Sequence, residues 1–347
     1  MSTLTIALAS LGGVLLAGVV AHGAWAARKA GPRRAAAEPT RSEPREPVMD
    51  SPDDAAVADE RSVVVAERRA NKRIVNRLDA LIDAIAPLRI ESPVSGSMVL
   101  AHLPTTRRAG GKPFLIEGLN CATGEWEMPV QSERYSEFQA GVQLANRTGA
   151  LNEIEYSEFV QKVQAFADGV GAMADFPDML EAVAGARELD SFAGQHDAQL
   201  AVHLQARSSA WSVGYILQHA GRHGFVPGVV PGRLVLPAAE EGAPPVLTLT
   251  FDSQAALADD PNLAALRDVT LSFDVPQTEA TVEPFVAWQA SAQALSLGMD
   301  ANIVDDNGRP LSPEGFAAIG AELGLLYAAL QDRDLAAGSP AARRLFS

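Results

Sequence analysis

The sequence predicts an α+β protein, with an antiparallel sheet bearing helices on one face, behind a single N-terminal transmembrane helix. Three observations predict it. Residues Leu4 to Gly23 carry no charged side chain and are almost all apolar. Residues 25–54 are rich in Pro, Ala, Arg and Glu, and contain little that could bury a core. From about Leu88 onward, short runs alternating like strands are interleaved with longer runs at helical spacing. A strand, a helix, several strands, a helix, a strand and a helix in that order fit a mostly antiparallel sheet covered on one side.

The first element, residues 4–24, is long enough to span a membrane, because about 20 residues at about 1.5 Å each cover a bilayer core of about 30 Å. A cleaved signal peptide would carry basic residues before the apolar run, yet Met1, Ser2 and Thr3 carry none. The basic residues Arg28, Lys29, Arg33 and Arg34 follow the run instead. That asymmetry predicts an uncleaved single-pass anchor with its N-terminus out and everything after it cytoplasmic. Membrane lipid is thus the first expected partner, through residues 4–24, with Trp25 at the interface. Ala9, Gly13, Ala17 and Ala21 lie four apart on one helix face, a spacing that permits self-association. Small residues are common in such helices, and that plainer reading is preferred.

Residues 25–54 read as an extended disordered linker, with Pro32, Pro39, Pro44, Pro47 and Pro52 spread through them. Residues 55–87 read as helical: Ile74, Leu78, Leu81, Ile82 and Ile85 share a face, and Pro87 ends the run. Residues 88–195 form an α+β section. Its expected strands contain Met98-Val99-Leu100, Phe114-Leu115-Ile116 and Val142-Gln143-Leu144. A helix follows with Tyr156, Phe159, Val160, Val163, Phe166 and Val170 on one side, then a helical stretch from about Pro177 to Phe192. Residues 196–333 form a second α+β section. It begins with a strand through Leu200, Val202 and Leu204 and a helix capped by Ser208 or Ser209. Strands follow at about 225–236, 246–251 and 269–275, then a helix with Phe285, Trp288, Ala292 and Leu295 inward. A short strand near Ile303 leads to a helix opened by Ser312-Pro313-Glu314. Residues 334–347 read as a loose tail.

Composition narrows function. The chain has 347 residues, enough for two domains, and a net charge of −15, which argues against nucleic acid as a partner. The lone cysteine, Cys121, allows no internal disulfide and no paired-cysteine metal site. Of the six histidines only His219 and His223 are four apart on a helix, with no acidic ligand at matching spacing. Gly110-Gly111-Lys112 lacks phosphate-loop spacing, and Asn146-Arg147-Thr148 is an unused glycosylation pattern on a cytoplasmic segment. No catalytic constellation is present and no cofactor is expected, so the reading is a binding protein and not an enzyme.

The stretch Asp197 to Leu330 resembles the C-terminal domain of the ZipA family of bacterial cell-division proteins. The matching residues are Phe225 after a helix-ending glycine, Val269 to Pro276, and Ile303-Val304-Asp305-Asp306 running into Leu311-Ser312-Pro313-Glu314. The plan of anchor, Pro-rich tether and C-terminal domain is also similar. This resemblance implies a cell inner-membrane protein of the divisome that binds the FtsZ C-terminal tail in a shallow apolar groove on the bare sheet face. Val142-Gln143-Leu144 and its helix echo Leu271-Ser272-Phe273 and its helix, so 88–195 is a candidate diverged copy of the same unit.

Strand alternation assigns the groove face. Val269, Leu271, Phe273 and Val275 should point to the helices, leaving Thr270, Ser272 and Asp274 on the bare face with Gln199. For strand 246–251, alternation sends Leu247, Leu249 and Phe251 inward, whereas the family motif places Phe251 and Ser253 in the groove. Val230 matches an apolar groove position. The expected partner-binding set is therefore Gln199, Val230, Phe251, Ser253, Thr270 and Ser272, which is more polar than the family's groove. A scaffold that has lost its FtsZ groove and binds a different partner is the alternative reading.

Overall fold

Two antiparallel sheets, each of six strands, organise the chain. The structure is a computed structural model that describes residues 77–240, 242–258, 260 and 264–347. The expected membrane span, the linker and the part of the helical stretch before residue 77 lie outside these residues. Among the described residues, no helix is long and apolar enough to cross a membrane.

The first sheet is built from β1 (Asp83–Ser95), β2 (Arg108–Ala109), β3 (Lys112–Asn120), β4 (Trp126–Glu127), β5 (Arg134–Gln143) and β8 (Ala172–Ala174). Its order is β2-β3-β5-β1-β8, with β4 on β3. A two-stranded hairpin, β6 (Ala145–Asn146) with β7 (Gly149–Ala150), stands apart. Helices α1 (Gly96–His102), α2 (Glu153–Val170) and α3 (Met179–His196) belong to this half. Asn152 and Glu155 form a reciprocal cap at the start of α2, and Tyr156, Phe159, Val163, Phe166 and Val170 are buried as their spacing predicts. Phe159 meets Phe114 edge-on at 5.7 Å, and Phe166 meets Phe138 at 5.6 Å, which lays α2 on the sheet.

The second sheet comprises β9 (Gln199–Ala206), β10 (Val226–Pro227), β11 (Arg233–Leu236), β12 (Leu247–Thr250), β13 (Asp268–Asp274) and β14 (Ala301–Val304), in the order β10-β11-β12-β13-β9-β14. Its helices are α4 (Val213–Arg222), the short α5 (Ser253–Ala256), α6 (Pro284–Met299) and α7 (Pro313–Gln331). Trp288 sits at the centre of this core, with Phe273 and Phe316 edge-on at 6.0 and 5.6 Å and its indole N–H donating to the Leu271 carbonyl at 3.0 Å.

The two halves follow one plan. In each, a central strand (β1, β9) leads through a helix to two antiparallel strands (β3 and β5, β12 and β13), then to a long helix (α2, α6). An edge strand beside the central one (β8, β14) and a last helix (α3, α7) complete it. The orders β3-β5-β1-β8 and β12-β13-β9-β14 correspond, and every pairing is antiparallel. Even the long helices stop alike, at Gly171 and at Asp300, both left-handed.

Several sequence expectations are corrected. Residues 83–87 are strand and not the end of a helix. Ile82, Ala84, Ala86 and Leu88 are buried at period two, and the helical match of this stretch with Leu78 and Leu81 was coincidental. Pro87 is tolerated inside β1 because its carbonyl accepts from Asp175 on the side facing β8, beyond the end of that ladder. The missing donor therefore costs the β5 pairing nothing. Met98-Val99-Leu100 lies in α1, since Ser95 caps it and only Val99 is buried; a run of three apolar residues cannot by itself tell strand from helix. The cap of α4 is Ser212, and stretch 225–236 is two strands joined by a turn. The tail is not loose. It forms α8 (Pro340–Leu345), and Leu335, Ala342, Leu345 and Phe346 bury against Ile82, Ala145, Leu189 and Leu330. Its small and charged residues disguised a packed tail whose Arg344 pairs with Asp83 at 2.5 Å in the interior.

Candidate functional site: the open sheet face and its edge groove

Alternation holds along the central strands of the second sheet. Val269, Leu271 and Phe273 join the core with Ile216, Ala292 and Leu295 from the helices. Leu249 pairs with Leu271 and shares that side, and Phe251 packs against the same core. Alternation is thus the correct register for 246–251, and the placement of Phe251 in the groove is corrected. Ser253 is exposed at the start of α5.

The opposite face is polar. Ser272 lies between Ala201 and Thr248, and Thr270 lies between His203 and Thr250. Gln199 pairs with Asp274 at the end of the same strip. The expected residues Gln199, Thr270 and Ser272 are therefore brought together, but Ser272 and Thr248 are closely hemmed in at 5% and 9% exposure. His203 stands on this face between two carboxylates. Its Nδ1 is 3.1 Å from Asp268 and its Nε2 3.2 Å from Asp306. Burial pushes the imidazole pKa down, but the bonds and charges of Asp268 and Asp306 outweigh it, and the net direction is upward.

Val230 lies elsewhere, on the turn between β10 and β11. Pro231 and Gly232 occupy its middle positions, Gly232 has φ of 77°, and the Arg233 amide donates to the Val230 carbonyl at 3.1 Å. Proline followed by a left-handed glycine is the pattern of a type II turn. A Cβ on Gly232 would come within 2.6 Å of the Phe251 carbonyl oxygen, so glycine is required twice over. The turn holds Val229 and Val230 out at 103% and 54% exposure. Together with Pro227, Val235, Pro237, Ala243 and Pro245 they line a groove of about 660 Å³. Its prolines make it preformed, which lowers the ordering cost of any segment that binds there.

Of the six expected residues, the structure thus gathers three into a polar strip, sets Val230 in an apolar groove at the sheet edge, packs Phe251 half-buried against the core on the far side and leaves Ser253 exposed at the start of α5. Val229, Arg233, Val235 and the Pro237–Pro245 wall were missed. The signal was present in the doubled Pro-Gly of Pro227-Gly228-Val229-Val230-Pro231-Gly232, which marks two tight bends around two valines.

Other motifs resolve into structure. The amides of Gly110 and Gly111 donate to Glu158 and Glu155, so these donors are already taken. Lys112 is buried, with its ammonium donating to Asn146, Thr148 and the Gly149 carbonyl, which pins the β6–β7 hairpin. Arg147, at the tip of that hairpin, joins the two halves by bonding Asp197 and Asp274 at 2.6 and 2.7 Å. Among the described residues, no cluster of three or more His, Cys, Asp or Glu could hold a metal ion. No protein-family model matches the chain, and no curated protein matches it either.

Proposed function

We propose that this chain is a membrane-anchored cell-division protein that tethers FtsZ polymers to the inner membrane by binding the FtsZ C-terminal tail. The observation that carries the proposal is the preformed apolar groove at Val230, on a sheet whose strand and helix order fits the resemblance found in the sequence. The polar strip of Gln199, Thr270 and Ser272 offers little to an apolar ligand, since each large apolar side chain buried is worth about 1.5–3 kcal/mol. The tail segment therefore docks at the edge groove and not across the middle strands. Weak binding by one site suffices for a tether, because a polymer presents many tails to many anchored copies. We also infer that the two halves arose by duplication, from their shared strand order and shared left-handed helix ends.

The same polar strip favours a second reading, a membrane-tethered scaffold whose groove takes a different partner. Calorimetric titration of the full-length chain with the tail peptide of its own FtsZ separates the two. Binding that is lost in Val230→Asp supports both the partner and the groove. Binding unchanged in that variant keeps the partner and moves the site. No binding at high peptide concentration leaves the scaffold reading.

A further inference from the structure

We propose that Arg233 determines which segment the edge groove accepts, by pairing with a carboxylate set between apolar side chains of the ligand. This rests on the peptide-binding reading of the same groove and names the chemistry it selects.

Val229, Val230 and Pro237 are among the apolar residues lining the groove, and Arg233 is the cation among its described lining residues. Arg233 is exposed, and no carboxylate of the described residues lies within ion-pair distance of it. The one described acid lining the groove, Glu240, instead faces Arg343 at 3.8 Å. In a chain of net charge −15, an arginine at an apolar site that makes no ion pair among the described residues is a complementary point for an anionic group. Its contact within the chain is weak and neutral, a guanidinium nitrogen 3.4 Å from the Thr248 hydroxyl, which a carboxylate would readily replace.

The backbone fixes where that carboxylate sits. Arg233 is the fourth residue of the type II turn whose first is Val230, and the Gly228 amide donates to the Arg233 carbonyl at 2.8 Å. The guanidinium therefore springs from a backbone locked on both sides, next to the exposed valines. An extended segment that places an apolar side chain on Val230 presents its next same-face side chain two residues along, about 6.8 Å away, and it is this side chain that Arg233 would read. Pairing of this kind adds little affinity at a wet rim and much discrimination, since a segment with Lys or Arg at that point is repelled.

The test uses the full-length chain and two probes: the FtsZ tail peptide, and the same peptide with its acidic side chains replaced by their amides. Titrations are run on wild type, Arg233→Gln and Arg233→Lys, with near-ultraviolet circular dichroism as the folding control. Amidation is expected to weaken binding to wild type about twofold to fivefold, as for a partly exposed charge pair. Arg233→Gln should bind both peptides equally, at the wild-type affinity for the amidated one, and Arg233→Lys should restore part of the preference. If amidation weakens wild type and Arg233→Gln by the same factor, Arg233 does not read the carboxylate and the inference fails, while tail binding stands. If wild type binds neither peptide, the tethering reading fails and takes this inference with it.

Discussion

The bare face of the first sheet is closed by its own chain, whereas the matching face of the second is not. In the first sheet Gly141 lies between Ile85 and Leu115, and Leu78 rests on it so closely that a Cβ at Gly141 would fall 2.4 Å from the leucine methyl. The Leu78 amide donates to buried Glu117 at 3.0 Å, and Arg344 holds the preceding Arg77 carbonyl at 2.8 Å. In the second sheet the corresponding register, between Ala201 and Thr248, is filled by Ser272. The same surface thus accepts an extended segment where a missing side chain leaves a dent, and presents polar groups where the dent is filled. At the edge of the second sheet, Val229 and Val230 are exposed and line the groove beside the turn.

The comparison breaks hardest at Arg344. The pair with Asp83 is buried, and Arg344 also holds the strap through Arg77. Arg344→Ala strands a carboxylate in the interior and should cost about 3–5 kcal/mol by chemical denaturation. Amide exchange at Leu78 should quicken in the same variant. Replacing both partners, Asp83→Leu with Arg344→Met, should recover much of the loss. A loss in Arg344→Ala below 1 kcal/mol would show that the tail does not lock the strap.

Next in size is the dent itself. Gly141→Leu must expel Leu78 or crowd it, an overpacking cost of about 1–3 kcal/mol. The mirror change, Ser272→Leu, adds less bulk, on a face with no strap above it, and should cost less. Equal costs in thermal melts would mean that Leu78 does not occupy its site in solution. A smaller effect of opposite sign is expected where the long helices end. Gly171 meets the left-handed conformation without strain, while Asp300 meets it as a non-glycine residue at φ 52°. Asp300→Gly should relieve about 1–2 kcal/mol of backbone strain and lose one surface hydrogen bond from Ser208, so a net gain under about 1 kcal/mol is expected.

How far the sequence could be read follows from these particulars. The helix α2 of the first half and the strand β13 of the second were legible because burial imposes periods of 3.6 and two, and the spacing of Tyr156 to Val170 and of Val269 to Val275 could belong to little else. The strap was not, because Leu78, Leu81, Ile82 and Ile85 fit a helix as well as a turn feeding a strand, and Pro87 looked like a stop. The tail was not, because its packing depends on an ion pair 261 residues apart. For the site, alternation found the polar strip, but periodicity says nothing about a loop, so the groove around Val230 was visible only as turn chemistry. Which side of that loop Arg233 occupies, and that it makes no ion pair among the described residues, are properties of the assembled surface.

The finest difference between the halves is electrical. His203 faces Thr270 on β13, and the corresponding position on β1 is Pro87, facing Gln139. A pH effect from this register therefore belongs to the second half alone. A neutral imidazole carries one N–H and can donate to only one carboxylate, whereas the imidazolium satisfies Asp268 from β13 and Asp306 from the turn after β14 together. The folded pKa is raised above the ordinary value near 6.5. The contribution is then complete below the unfolded pKa and is lost as pH rises through the folded one. Both carboxylates are well exposed, so the effect is small. An NMR titration should find His203 titrating above the ordinary histidine value. With rising pH, the tether of the 305–309 turn to the sheet should loosen, seen as faster amide exchange there. His203→Gln should abolish that pH dependence while leaving the Leu78 strap untouched, and a His203 that titrates below the ordinary value would refute the bridging geometry.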